Sequence, residues 1–253
     1  MDIFYSFFIT SLAGLATMLG TFVIFFSSKN KDKIITSSLS FATGVMVCVS
    51  LLDLMPESLN MLNNNLNLFL GIILFLIFLC IGVLTSMAID KYLPDNSENT
   101  DNKGLYKIGI ISMVAIVLHN IPEGIATFIT STNNLKLGLT ITIAIALHNI
   151  PEGISIAVPI YHATNNKLKA FLYALLSGMS EVLGSILAYL FLAPLINDHV
   201  MKALYAIIAG IMIHISVYEL IPGAYKESTL KSVLKYFLIG FGVMILSHLL
   251  MNF

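Results

Sequence analysis

Long apolar runs recur along the whole of this chain, and they restrict what it can fold into. Of its 253 residues, 57% are hydrophobic, which is more than one soluble core of that size can bury. A helix that crosses the roughly 30 Å hydrocarbon layer of a membrane needs about 20 apolar residues, and the runs have that length. The sequence therefore predicts an all-α integral membrane protein.

Clusters of Lys, Asn, Asp and Pro separate the runs and predict eight transmembrane helices in a single domain over residues 1–253. We number these helices span 1 to span 8 and place them near 3–26, 34–55, 67–89, 106–130, 135–160, 168–192, 201–223 and 230–251. Residues 90–105 are predicted to form a polar cytoplasmic loop. Span 1 has no preceding basic segment and no small-residue cleavage site, so we expect a retained helix rather than a signal peptide.

The distribution of lysine predicts the orientation of the chain in the membrane. All thirteen basic residues are lysines, and only Lys136 and Lys202, at the starts of spans 5 and 7, lie on the side reached by the loops that follow the even-numbered spans. The other eleven lie in or beside the loops that follow the odd-numbered spans. Positively charged loops stay in the cytoplasm, so both termini are expected to be extracytoplasmic.

A six-residue string, His-Asn-Ile-Pro-Glu-Gly, occurs at 119–124 and again at 148–153, in the middle of predicted spans 4 and 5. Its His and Glu are four positions apart and its Asn and Glu three, so all three side chains share one helix face. Imidazole, carboxylate and amide oxygen suit Zn²⁺ and other divalent first-row metals. The candidate metal ligands are His119, Asn120, Glu123, His148, Asn149 and Glu152.

Three further residues support a site at membrane depth. Pro122 and Pro151 each remove a backbone donor and are expected to kink and break their helices, which is tolerated in a membrane where protein or a wet cavity satisfies the backbone. Glu181, at the centre of span 6, needs a cation or a proton. Because Gly178 and Gly184 flank it, we expect span 6 to pack closely on spans 4 and 5 and Glu181 to complete the coordination of a second metal.

Each of these residues also has a plainer interpretation. An intramembrane histidine can be a satisfied hydrogen-bonding residue, a proline an ordinary kink, and Glu181 a protonated interior acid. Ionisable groups near the bilayer centre cost several kcal/mol unless they are paired or metal-bound. Two copies of one string at matching depth, together with a third acid, therefore favour a metal site.

Spans 2 and 7 carry a similar acid-Leu-apolar-Pro string at their ends, beginning at Asp53 and at Glu219. Because the two spans run in opposite directions, these ends face opposite sides of the membrane. Our hypothesis is that Asp53 and Glu57 form the entrance of an ion pathway, and that Glu219 and His214 form its exit. Helix-end capping and solvated acids explain such residues equally well. The histidine near the end of span 8, His248, receives no role.

These features resemble the ZIP family of divalent metal transporters, in particular its bacterial zinc transporters. The resemblance implies a three-two-three arrangement, in which spans 1–3 and 6–8 are inverted repeats around spans 4 and 5. It also implies a midplane binuclear site bridged by Glu123 and Glu152. By position, one metal would bind His119, Glu123, His148 and Glu152, and the other Asn120, Glu123, Asn149, Glu152 and Glu181.

The expected function is uptake of Zn²⁺ into the cytoplasm across the inner cell membrane, with Fe²⁺, Mn²⁺ and Co²⁺ as further cargo. The metals are transported ligands rather than catalytic cofactors, and the partners are divalent cations and the lipid bilayer. Small-residue helix faces permit a homodimer, and the sequence carries no signal for nucleic-acid binding.

Two other functional classes fit the same residues. One is an intramembrane metallohydrolase, in which bound Zn²⁺ activates water; the chain has no His-Glu-x-x-His string, and its paired carboxylates would be used as ligands. The other is a proton- or cation-coupled carrier of an organic solute, with the acids as proton relays. We therefore expect a transporter and no enzyme.

Overall fold

The computed structural model describes residues 3–25, 31–63, 68–92, 103–192 and 198–251. In this part of the chain every regular element is helical. The α-helices are Ile3–Leu19, Lys31–Val49, Met55–Asn63, Leu68–Tyr92, Lys103–Asn133, Leu135–Thr164, Lys167–Leu187, Asp198–Ile215, Ile221–Lys226 and Leu230–Met251. A 3₁₀ turn, Gly20–Phe25, extends the first helix, and π-helical turns lie at Ser50–Leu54, Ala188–Leu192 and Ser216–Leu220.

Within the described ranges, eight of the resulting helical segments are long and apolar enough to cross a membrane. The all-α architecture with eight spans is thus confirmed, and we keep the numbers span 1 to span 8 for the observed helices. The helices reach into both ends of the predicted loop 90–105, because one runs to Tyr92 and the next begins at Lys103. The remainder of that loop, 93–102, lies outside the described residues.

Spans 2 and 7 continue beyond their prolines, whereas the sequence predicts that they end there. Each passes through a π-helical turn, Ser50–Leu54 or Ser216–Leu220, and then continues as an α-helix that carries the proline in its first turn. A proline cannot donate to the preceding turn and clashes with it, and one extra residue in the helical repeat relieves both problems. Asp53 and Glu219 therefore lie inside π turns at equivalent points of the two spans.

Spans 4 and 5 form a tight antiparallel hairpin. Only Asn134 separates them, and its side-chain oxygen accepts a hydrogen bond from the amide of Leu137 at 3.1 Å, which caps span 5. The two histidines of the repeated string lie 15 residues before and 14 residues after Asn134. At a rise of 1.5 Å per residue, both are about 21 to 23 Å from the turn and hence at nearly the same depth.

The helices of spans 4 and 5 continue through the prolines of the string without interruption. The expectation of a broken helix at Pro122 and Pro151 is therefore wrong. Span 4 packs along span 6 and span 5 along span 1, so each motif helix is supported along its length by a neighbouring span. Because close neighbours hold both helices, the loss of one backbone donor at each proline does not end them.

The packing of the remaining spans repeats itself in inverted order. Span 2 packs along span 8, and span 3 along span 7, while spans 1 and 6 cross each other. When spans 1, 2 and 3 are exchanged with spans 6, 7 and 8, the pair of spans 2 and 8 becomes the pair of spans 7 and 3, and the pair of spans 1 and 6 is unchanged. This is what the three-two-three arrangement predicts. Glycines make each crossing close, since an added β-carbon would collide with the partner backbone at Gly14 and Gly178, Gly44 and Gly240, and Gly82 and Gly210.

Candidate metal centre

Three side chains of the two motifs meet directly between spans 4 and 5. The Glu123 carboxylate lies 3.1 Å from His119 Nε2 and 3.2 Å from His148 Nε2. All three side chains are buried in the protein. The helical spacing brings His119 next to Glu123 within span 4, and the hairpin brings His148 to them from span 5.

Glu152 completes this group from span 5. Its carboxylate lies 3.5 Å from His119 Nε2, and one ligand atom each from His119, His148 and Glu152 fit within 4.8 Å of one another. Tetrahedral zinc with bonds of about 2.0 to 2.1 Å requires neighbouring ligand atoms to be roughly 3.3 Å apart. The three N–O separations of 3.1, 3.2 and 3.5 Å match that requirement. The wider spread of up to 4.8 Å among the ligand atoms of His119, His148 and Glu152 means that the side chains would have to move closer around a zinc ion.

The two asparagines of the motifs are held by the neighbouring spans. Asn120 donates from Nδ2 to the Ser177 carbonyl at 3.3 Å, and Asn149 donates from Nδ2 to the Ala13 carbonyl at 3.0 Å. Asn149 also donates to the Glu181 carboxylate of span 6. Both amide oxygens are buried and have no hydrogen-bond partner among the described residues, so each can ligate a cation.

Glu181 lies in the interior of the protein, as expected, and its side chain is fully buried. The backbone of span 6 at Glu181 lies against Gly124, where a β-carbon would collide with it. The structure therefore buries all seven sequence-predicted ligands on spans 4, 5 and 6. The two histidines lie with Glu123 and Glu152, Asn149 contacts Glu181, and Asn120 contacts span 6 at Ser177.

A cavity of about 680 Å³ leads to one side of the centre. Its wall includes Glu123 and His148 at the inner end, and Thr130 and Leu137 near the turn between spans 4 and 5. The cavity therefore opens at the end of the protein where that turn lies. His119 and Glu152 do not line it, and both are at most 1% exposed. One histidine and one carboxylate face the cavity, and their partners are enclosed.

Both proposed entrance acids line the cavity, and the structure adds a histidine that sequence reasoning missed. Asp53 pairs with His248 of span 8 through Oδ1 and Nδ1 at 3.0 Å, and both side chains are partly exposed. Glu57 also lines the wall. Because spans 2 and 8 are far apart in sequence, their pairing was the missing information. The inverted repeat implies that span 8 packs on span 2, and this packing could have identified His248 as a neighbour of Asp53.

The two proposed exit residues lie at the opposite end of the protein, where His214 is buried and Glu219 is partly buried. His214 Nδ1 hydrogen-bonds Ser86 Oγ at 2.9 Å, and its ring stacks on Tyr218 with centroids 4.8 Å apart. Near it, Lys107 and Asp90 form an ion pair at 2.6 Å, and the Glu219 carboxyl lies beside Asp90. The structure does not bring His214 and Glu219 to the metal centre.

Comparison with known proteins gives a consistent result over nearly the whole chain. The family model described as ZIP Zinc transporter matches residues 94–249. A protein named Zinc transporter ZupT from Campylobacter jejuni is 37% identical, over 97% of this chain and 96% of that protein. Proteins of the same name from Streptococcus mutans and Escherichia fergusonii are 38% and 40% identical, over 88% and 85% of this chain and 88% and 84% of their own lengths.

Proposed function

The chain belongs to the ZIP family of zinc transporters, and we propose that it carries Zn²⁺ into the cytoplasm through the centre between spans 4, 5 and 6. The family is one of transporters, so the chain is a multi-pass membrane transporter and not an intramembrane hydrolase. The cell membrane of a bacterium is the proposed location, with the lysine-rich loops in the cytoplasm and both termini outside.

The observation that carries this proposal is the convergence of His119, Glu123, His148 and Glu152 at zinc-like separations beside a cavity. A binding site at the inner end of a cavity is what a carrier needs, because the ion must reach its ligands from one side before it leaves on the other. The donor set accepts several divalent first-row ions. We therefore extend the proposal to Fe²⁺, Mn²⁺ and Co²⁺ as further cargo.

The cavity supports an assignment of direction. It opens at the turn between spans 4 and 5, which is the lysine-poor end of the protein. By the lysine distribution this end faces outward. Asp53, Glu57 and His248 would attract and pass the cation at the cavity wall, and His214 and Glu219 would receive it at the opposite end of the protein.

Transport is tested by flux. We would reconstitute the protein into liposomes that enclose a zinc-sensitive dye and compare wild type with Glu123→Ala and Glu152→Ala. Wild type is expected to pass Zn²⁺, and both variants are expected to fail, because each loses a carboxylate ligand. The matched control is Glu227→Ala, which removes a carboxylate between spans 7 and 8 and is expected to leave the flux unchanged. Binding of Zn²⁺ by wild type without flux would contradict the transport proposal.

The binuclear arrangement needs its own measurement. We propose that Asn120, Asn149 and Glu181, with the bridging carboxylates Glu123 and Glu152, hold a second metal ion next to the first. The amide oxygens of both asparagines have no partner among the described residues. The Glu181 carboxylate accepts a hydrogen bond from Nδ2 of one of these asparagines, Asn149. Metal analysis after equilibrium dialysis should find two Zn²⁺ per wild-type protein and one per Glu181→Gln protein. One Zn²⁺ in both proteins would rule out the second site.

A further inference from the structure

The inverted repeat relates the contacts of span 1 to those of span 6 around the metal centre. Asn149 of span 5 donates to the carbonyl of Ala13, and Asn120 of span 4 donates in the same way to the carbonyl of Ser177. Ala13 and Ser177 are therefore counterparts. Their chain neighbours, Gly14 and Gly178, lie against each other where spans 1 and 6 cross.

Four residues beyond each of these anchor points, the counterparts are Thr17 and Glu181. The backbone confirms that they are equivalent. The Thr17 carbonyl lies against Gly153 of the second motif, and the Glu181 carbonyl lies against Gly124 of the first motif. Thr17 thus occupies, relative to span 5, the position that Glu181 occupies relative to span 4.

The side chains at the two positions differ in charge and in reach. The Glu181 carboxylate accepts a hydrogen bond from Asn149. The counterpart of that contact would join Thr17 to Asn120. Thr17 Oγ1 and Asn120 Oδ1 are both buried, and neither has a hydrogen-bond partner in the described part of the chain. Burying such oxygens without partners is unfavourable, so each of the two calls for a partner.

Building on the proposed metal centre, we propose that Thr17 is a further member of it and holds a metal-bound water molecule between its hydroxyl and Asn120 Oδ1. A threonine side chain is shorter than a glutamate side chain, and a water molecule spans the difference. Such a water needs several polar partners in a confined space, and the hydroxyl, the amide oxygen and the cation supply them. Thr17 is therefore the neutral, water-bearing counterpart of Glu181.

The consequence is an asymmetric metal centre in an otherwise symmetric pair of motifs. Glu181 gives the metal a negatively charged ligand from one repeat, whereas Thr17 leaves the other repeat's position hydrated. A cation with one retained water loses fewer ligands when it departs, and transport requires binding that is also reversible. Thr17 would therefore act on affinity and hydration through its hydroxyl.

The first test removes only that hydroxyl. Thr17→Val has nearly the same shape as the wild type, and Thr17→Ser keeps the hydroxyl. We expect Thr17→Val to weaken Zn²⁺ binding about tenfold, the effect typical of losing a group that supports a metal ligand, and Thr17→Ser to bind as wild type does. The visible spectrum of the Co²⁺-loaded protein should change in Thr17→Val alone, which a packing role would not produce.

The second test exchanges the two positions. Glu181→Thr should lose one bound Zn²⁺, and Thr17→Glu combined with Glu181→Thr should recover it, because the carboxylate then enters from the equivalent position. The matched control combines Thr10→Glu with Glu181→Thr, which puts a carboxylate in the same helix about two turns away, and it should show no recovery.

The outcomes separate this inference from the proposed function. If wild type binds no Zn²⁺, both are wrong. If wild type binds Zn²⁺ and Thr17→Val matches it in affinity and in Co²⁺ spectrum, the role of Thr17 is wrong and the metal centre stands. If Thr17→Val shows both changes, the inference is supported even where the exchanged variant fails to fold.

Discussion

The two copies of the motif have the same six residues but different surroundings. Glu123 and His148 line the cavity, whereas their counterparts Glu152 and His119 are enclosed. The inverted repeat exchanges these two His–Glu pairs, so they are chemically equivalent. The difference in access is therefore set by the surrounding spans and not by the motif. A second conformation, in which the enclosed pair becomes accessible from the other side, is what alternating access requires.

If the two His–Glu pairs are equivalent, each must contribute to Zn²⁺ binding. Glu123→Gln and Glu152→Gln should each weaken Zn²⁺ binding by more than about 100-fold, because loss of a residue that merely supports a ligand already costs about 10- to 100-fold. Isothermal titration calorimetry of the purified proteins measures both. Wild-type affinity in one variant and loss in the other would mean that the pairs do not share a metal.

The motif and its chemistry could be predicted from the sequence because they are local. The spacing of His119 and Glu123 within one helix defines their common face, and the position of each copy in the middle of its apolar run sets equal depth for both. The number of spans follows from the length of the apolar runs. All of this depends on neighbours in the chain, which the sequence displays directly.

Contacts between distant spans could not be predicted in the same way. The pairing of Asp53 with His248 joins spans 2 and 8, and the role of Thr17 depends on where spans 1 and 6 cross. The continuation of spans 2 and 7 beyond their prolines also escaped prediction. There a π turn relieves the clash that a proline would cause in a regular helix, and the sequence shows the proline without showing the turn.

Access itself is the next property to test. Ile141 lines the cavity, and its counterpart in span 4, Ser112, is buried. In a protein with Cys48 and Cys80 replaced by alanine, Ile141→Cys should react with a membrane-impermeant thiol reagent about tenfold faster than Ser112→Cys, because burial protects a thiol from reagents. Reagent should be added on the cavity side of oriented proteoliposomes.

Reagent added on the opposite side of the membrane tests whether the enclosed pair becomes accessible. If a second conformation is populated during transport, Ser112→Cys should become reactive from that side when Zn²⁺ is supplied. Absence of labelling at Ser112→Cys under active flux would contradict an exchange of access between the two pairs. Labelling of both positions from the cavity side at equal rates would contradict the observed arrangement, in which Ile141 lines the cavity and Ser112 is buried.

A smaller effect is expected where the cavity first meets the cation. Asp53→Asn removes a negative charge from the wall and breaks the pair with His248. Charge in a cleft concentrates counter-ions, so we expect the apparent KM for Zn²⁺ uptake to rise roughly 3- to 10-fold, with the Kd of the metal centre unchanged. The rise should shrink at high ionic strength, where screening weakens the attraction. An unchanged KM would assign Asp53 and His248 a purely structural role.

Substitutions at the helix crossings test the inverted repeat without changing the metal centre, and we expect their effect to be small. Gly240 of span 8 lies against the backbone of span 2 at Phe41, and its counterpart Gly82 of span 3 lies against span 7 at Ile207. Alanine at either position should lower the free energy of unfolding by about 1 to 3 kcal/mol, since the backbones must separate to admit a methyl group. Thermal unfolding in detergent measures the loss.

Gly242→Ala is the matched control, because a β-carbon at Gly242 would meet no atom within 4 Å. Alanine there should be neutral or slightly stabilising, since it reduces the backbone freedom that a helical glycine must lose. Similar losses for Gly82→Ala and Gly240→Ala would show that the two crossings are equally close, as two copies of one packing arrangement should be. A large loss at one crossing and none at the other would mean that the two repeats have diverged in packing. The difference in access between the two His–Glu pairs would then reflect a difference in helix packing as well as in conformation.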